Sequence, residues 1–116
     1  VASNAPLAWT ASSVNSSGSI TPVGTTGVTL APGEYLVSFV SDASADNNNR
    51  IDTALALDGT ALAYAETAAT NQANTVDRLA LTAIVSPATA QTLTVINRSA
   101  NEVTHTNSTL SIVKLA

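Results

Sequence analysis

His105, the acidic side chains and a handful of aromatics are the residues of this chain that could do chemistry, and they are few. His105 is the sole histidine, and there is no cysteine. A Ser-His-acid triad would have to be built on it, with Glu102 or Asp77 as the orienting carboxylate. No G-x-S-x-G turn exists to present a serine nucleophile. In Thr- and Asn-rich surroundings, His105 is expected in a solvent-exposed loop or on an edge strand. Near a threefold axis, three copies would meet and could hold a metal or respond to pH. Glycoside hydrolysis needs two carboxylates across a cleft. The acidic residues are Glu34, Asp42, Asp46, Asp52, Asp58, Glu66, Asp77 and Glu102, and most fall where loops or turns are expected. No glycine-rich phosphate loop is present. The sequence therefore argues against an enzyme.

Two binding chemistries are worth placing. Asp42, Asp46, Asn47, Asn48, Asn49 and Asp52 form an oxygen-rich stretch, and calcium takes about six to eight such oxygens. The run D-N-N-N-R-I-D begins like a calcium loop, but Arg50 stands where a ligand belongs and no glycine follows. A solvated turn competes with a calcium site at Asp42, Asp46 and Asp52; no other cofactor is expected. A sugar ring would stack on Trp9, Tyr35 or Tyr64. Tyr35 is expected inside a strand and Trp9 over an open end of the fold. Tyr64, with Asn48 and Arg50 to reach hydroxyls, is therefore the expected ligand contact. Asn15, Asn97 and Asn107 each begin an N-x-S/T sequon, read as chance matches in a Ser/Thr-rich chain.

These residues must be positioned by elements built from aliphatic side chains. Of 116 residues 45% are hydrophobic, but only 3% are aromatic and 10% charged. Val, Ile, Leu and Ala bury less area apiece than aromatics do, so one subunit alone would be modestly stable. The net charge of −4, with Arg50, Arg78, Arg98 and Lys114 scattered along the chain, excludes the clustered cations that nucleic acid or anionic lipid requires. No apolar run is long enough to span a membrane. The chain opens at Val1 without an initiator methionine and is read as cut from a longer protein.

Short apolar runs broken by Thr, Ser, Asn, Gly and Pro read as many short strands. Residues 1–20 are expected to be an irregular lead-in with one short edge strand near 7–10. Strands are expected at 28–31, 34–41, 53–57, 60–66, 76–85, 91–97 and 109–115. Polar loops are expected at 42–50, 67–75 and 98–107, the last with room for a short pairing segment. Pro32-Gly33 turns the chain, and Asp58-Gly59 between apolar runs signals a tight hairpin. An Ala-rich helix over 53–69 competes with that hairpin. The pattern implies one all-β domain, 1–116, a jelly-roll β-sandwich. Several strands are apolar on both faces: Tyr35, Val37 and Phe39 on one side of a strand face away from Leu36 and Val40. A second apolar face implies a subunit interface.

Three stretches carry a family resemblance: LAPGEYLVSFVS at 30–41, TALALDGTAL at 53–62 and NSTLSIVKLA at 107–116. In this order and spacing they resemble the C-terminal domain of the collagen-like glycoproteins of bacterial spore and cell surfaces, the BclA type, within the complement and tumour-necrosis-factor-like superfamily. The resemblance spans most of the chain from Gly24 onward. It implies a ten-stranded jelly roll and a homotrimer seated on a collagen-like stalk, which would lie upstream because no Gly-x-y repeat is present. It also implies a non-catalytic, extracellular role at an exosporium or cell surface, presenting a face to a host receptor. Tyr35, Phe39, Leu110, Ile112 and Leu115 would be core or trimer-packing residues. A receptor- or glycan-binding tip of a bacterial or phage fibre is the alternative.

Overall fold

The structure is a computed structural model that describes residues 1–9, 11–14, 18–45, 49–72 and 75–116, with 11–14, 49 and 71 described by backbone alone. The described residues form nine strands: β1 (Ala11–Val14), β2 (Ile20–Val23), β3 (Gly27–Leu30), β4 (Tyr35–Ser44), β5 (Asn49–Leu57), β6 (Thr60–Asn71), β7 (Asp77–Val85), β8 (Gln91–Asn97) and β9 (Thr104–Lys114). A four-stranded sheet runs β1-β9-β4-β7 and a five-stranded sheet runs β2-β3-β8-β5-β6. All neighbouring strands are antiparallel except β1 and β9, which are parallel. Most sheet neighbours are distant in sequence, as a jelly roll requires.

Alternation builds this sandwich. Along β4, Tyr35, Val37, Phe39, Ser41 and Ala43 are buried and the residues between them are half-buried. Asp58 (φ 49°) and Gly59 (φ 83°) both take the left-handed backbone that a tight hairpin turn needs, and they join β5 to β6. The hairpin is therefore formed, and the competing helix over 53–69 is not. Its arms are longer than the apolar pattern implied, because main-chain pairing continues into polar sequence: Asn49 opposite Asn71, Arg50 opposite Thr70. For the same reason β4 extends to Ser44 and β9 begins at Thr104, inside expected loops. The lead-in is more ordered than expected. It contains β1, Pro6 bridges Ile96, and the Leu7 amide donates to Val95 O at 2.8 Å. Leu7 and Trp9 are buried in the core.

The core is divided. A large cluster holds Leu7, Trp9, Tyr35, Val37, Phe39, Leu55, Leu93, Leu110 and Ile112 among others. A smaller one holds Ala43, Ala45, Ile51, Leu79 and Val103. Between them the inward positions are polar. Ser41 lies between Phe39 and Ala43 on β4, Thr53 between Ile51 and Leu55 on β5, and Asn97 follows Val95 on β8; all three are fully buried. Ser108, also buried, stands beside Leu110 on β9. Each fully buried Leu, Ile or Phe contributes about 1.5–3 kcal/mol, so the large cluster dominates stability.

Candidate functional site

The outer face of the four-stranded sheet is the surface with the most distinctive chemistry. Alternation that sends Val37, Phe39, Leu110, Ile112 and Leu81 inward sends their neighbours outward. The register lines them up in three rows: Ile84, Leu36 and Val113; Thr82, Ser38 and Ser111; Ala80, Val40 and Thr109. None of these residues is charged, and Ile84 and Val113 are 54% and 40% exposed. Ser38 and Thr82 share a hydroxyl hydrogen bond of 3.4 Å, which keeps the middle row flat. Charges appear only at the ends. Asp42 and Arg78 are register partners and form a 3.0 Å ion pair, while Lys114 at the other end donates to Ser19 Oγ at 3.1 Å. Hydrogen bonds from Asn107 and Arg78 hold the Asp42 carboxyl below its ordinary range. The outer face of the five-stranded sheet is also uncharged across Thr29, Thr92, Thr94, Ala54, Ala56 and Ile96, the last three buried together, but it carries Arg50, Asp52 and Glu66 on β5 and β6.

The expected packing residues separate into two groups. Tyr35, Phe39, Leu110 and Ile112 are buried inside the subunit, and the Tyr35 hydroxyl donates to Ala31 O at 2.7 Å. Leu115 is 51% exposed and follows Val113 and Lys114 at the margin of the uncharged face.

The expected ligand contacts do not converge. Tyr64 is 63% exposed and sits on a bulge of β6, where Leu62, Ala63, Tyr64 and Ala65 lie opposite the single residue Leu55. Arg50 pairs with Thr70, six residues further along β6, or roughly 20 Å at the usual strand rise. Asn48 and Asp46 lie outside the described residues. Asp42 and Asp52 project from opposite outer faces of the sandwich, since Ser41, Ala43, Ile51 and Thr53 beside them point inward. Asp52 lies 3.6 Å from Arg50, and its carboxyl raises the Glu66 pKa, through the bond the pair forms when one is protonated, then burial, then repulsion between the two carboxylates. Among the described residues no group of three or more His, Asp or Glu is placed to hold a metal ion, and no cleft opens on the surface.

His105 departs from its expected exposure. It is half-buried on β9, opposite Ala43, and its Nδ1 lies 2.9 Å from Ser41 Oγ. Burial first, and the Val1 ammonium second, lower its pKa to about 4. Sequence reasoning missed the link to Ser41 because the two residues are 64 positions apart. The uncharged outer face, in contrast, was signalled by Leu36, Val40, Ala80, Thr82 and Ile84 standing out of phase with the core residues.

No protein-family profile matches the chain, and no curated protein does. Among solved structures, the crystal structure of rabbit GITRL is similar with a TM-score of 0.52 and 14% sequence identity, covering 84% of this chain and 77% of that one. At this identity the likeness concerns the fold alone. No helix among the described residues is long and apolar enough to cross a membrane. With its two sheets, their strand order and this neighbour, the chain is an all-β jelly-roll sandwich.

Proposed function

We propose that this chain is a non-catalytic, extracellular domain that assembles as a homotrimer through the outer face of its four-stranded sheet and forms the tip of a bacterial surface fibre. The observation that carries the reading is the uncharged face built from Leu36, Ser38, Val40, Ala80, Thr82, Ile84, Thr109, Ser111 and Val113. A monomeric sandwich normally turns polar and charged side chains outward on such a face, and an apolar one is stabilised by contact with another surface. The trimeric state and the spore- or cell-surface setting are what the resemblance of three stretches to the collagen-like surface glycoproteins implies.

The test is the mass of the folded protein, by light scattering after size exclusion. The reading expects three times the 11.7 kDa of one chain. A monomer at micromolar concentration overturns it. A glycan- or receptor-binding tip is the second reading, favoured by Tyr64, whose exposed ring stands on a bulged edge strand. A glycan-array signal lost in Tyr64→Ala would support it.

A further inference from the structure

The polar layer between the two core clusters contains an arrangement that the proposed function does not use. Ser41 Oγ lies 2.9 Å from His105 Nδ1 and 2.8 Å from Ser108 Oγ. Ser41 and Ser108 are 0% and 1% exposed. The other ring nitrogen, His105 Nε2, is buried and has no hydrogen-bond partner among the described residues. These three residues join β4 to the first half of β9, where the ladder is weakest: the register shifts between Val40 and Asp42, and Asn107 takes a left-handed backbone at φ 51°. Side-chain bonds therefore bridge the two strands at the bulge, beyond which main-chain pairing resumes from Asp42 opposite Thr106 to Ser44 opposite Thr104.

The neutral ring suits this site, and the charged ring does not. In the neutral tautomer that carries its proton on Nδ1, the ring donates to Ser41 Oγ and leaves only a lone pair at Nε2, with no buried donor to satisfy. An imidazolium carries an N–H on both nitrogens, so Nε2–H would be a buried donor, bearing charge, with no acceptor among the described residues. Ser41 Oγ accepts from Nδ1–H in both states and keeps its hydroxyl for Ser108, so the change on protonation falls at Nε2. Among the described residues the charged groups around the ring are the Val1 ammonium, bonded to Val103 O, Asp77, opposite Ala43 on β7, the exposed Glu102 shortly before β9, and Asp42, turned outward to Arg78. The facing inward residues of the five-stranded sheet, Thr53 and Asn97, are uncharged.

We propose that the Ser41–His105–Ser108 network is an acid-sensitive latch, closed while the imidazole is neutral and released when it gains a proton, freeing the start of β9 from β4. Release leaves the large cluster intact, because Leu110 and Ile112 lie beyond the bulge. The domain then loosens at one end of the sandwich, next to the lead-in that Asn97 anchors through Val1 O and Ala2 O.

The experiment combines proton NMR of the imidazole with amide hydrogen exchange between pH 7 and pH 3.5. His105 is the only histidine, so its ring signal is unambiguous. The ring is expected to titrate well below the ordinary value of about 6.5. Protection in 103–107 and 42–44 is expected to fall on the order of tenfold per pH unit as the unfolded-state proton affinity exceeds the folded one, while β3 and β8 stay protected. In His105→Gln, which keeps a polar side chain that cannot titrate, that selective fall is absent. A wild-type ring titrating near 6.5 without change in protection overturns the proposal, as does an equal fall in His105→Gln. Should the variant fail to fold, the wild-type titration and exchange decide alone.

Discussion

The Tyr35 hydroxyl reaches back over the Pro32-Gly33 turn to donate a 2.7 Å hydrogen bond to the carbonyl of Ala31, the residue that follows β3. Tyr35 is fully buried, so one side chain both fills the core and satisfies the backbone where the chain crosses from the five-stranded sheet to the four-stranded one. Tyr35→Phe keeps the ring and leaves that carbonyl short of its donor. The expected loss is about 1–2 kcal/mol, read from urea denaturation, with the same fold by circular dichroism. An unchanged midpoint would show that Ala31 O finds water instead.

Gly33 in the same turn has φ 152°, and a Cβ placed there would sit 2.7 Å from Ala116 O. That oxygen accepts from the Glu34 amide at 3.0 Å, while Leu115 N donates to Glu34 O at 2.7 Å. The glycine thus lets the end of the chain close against the start of β4. Gly33→Ala should cost about 2 kcal/mol from backbone strain and close contact. If thermal unfolding showed no loss, the closure of 114–116 on this turn would be too soft to matter.

Both turns were legible in the sequence because Pro-Gly and Asp-Gly carry a conformational requirement in their own residue types. The central strands were legible too, since Tyr35, Val37 and Phe39 alternate cleanly. What sequence did not disclose is pairing that needs no apolar pattern. β6 runs through Thr67 and Thr70 because Arg50 and Thr53 on β5 offer main-chain partners, and β2 forms because it pairs with β3 from Ile20 opposite Leu30 to Val23 opposite Gly27. The link from His105 to Ser41 was invisible for a related reason: it depends on register across a bulge. The uncharged outer face was half-visible. Its residues showed as a second apolar phase, but which strands lie side by side is a matter of topology.

Asp58 does more than turn the hairpin. Its Oδ1 accepts from the Thr92 amide at 2.9 Å, and its own amide donates to Thr92 O at 2.9 Å. The β5–β6 turn is thereby tied to the start of β8. Asp58→Ala removes the side-chain acceptor and places a Cβ-bearing residue without a polar side chain at positive φ. A loss of about 1–2 kcal/mol is expected. Asp58→Asn, which tolerates that backbone and retains an acceptor oxygen, should recover most of it. Equal losses in the two variants would contradict the role given to Oδ1.

Glu66 and Asp52 give a pH dependence of known sign. The folded-state pKa of Glu66 is raised because its hydrogen bond to Asp52 is best made when one of the two carries a proton. A raised carboxyl pKa contributes stability that is present below the unfolded value and is lost as pH rises through the folded one. At neutral pH the two carboxylates repel across the hairpin. Glu66→Gln should therefore melt higher than wild type at pH 7, by about 0.5 kcal/mol, since Glu66 itself is exposed to screening by solvent. The gap should close near pH 4. A gap that stays constant with pH would mean that Arg50 and Arg98 already neutralise the pair.

The proposed trimer places its strictest demand on Ile84, which is 54% exposed in the isolated chain and stands in one row with Leu36 and Val113. A single carboxylate at this position would be repeated in every subunit. Within an apolar contact it would either be desolvated without a partner or force the contact apart. Ile84→Glu should therefore lower the solution mass from three chains to one while leaving the sandwich folded, because Ile84 faces away from the core. Thr29→Glu, a substitution on the other sheet's outer face, is the matched control and should leave the mass unchanged. If Ile84→Glu remained trimeric and Thr29→Glu did not, the interface would belong to the five-stranded sheet, and the charges on Arg50, Asp52 and Glu66 would have to be paired between subunits.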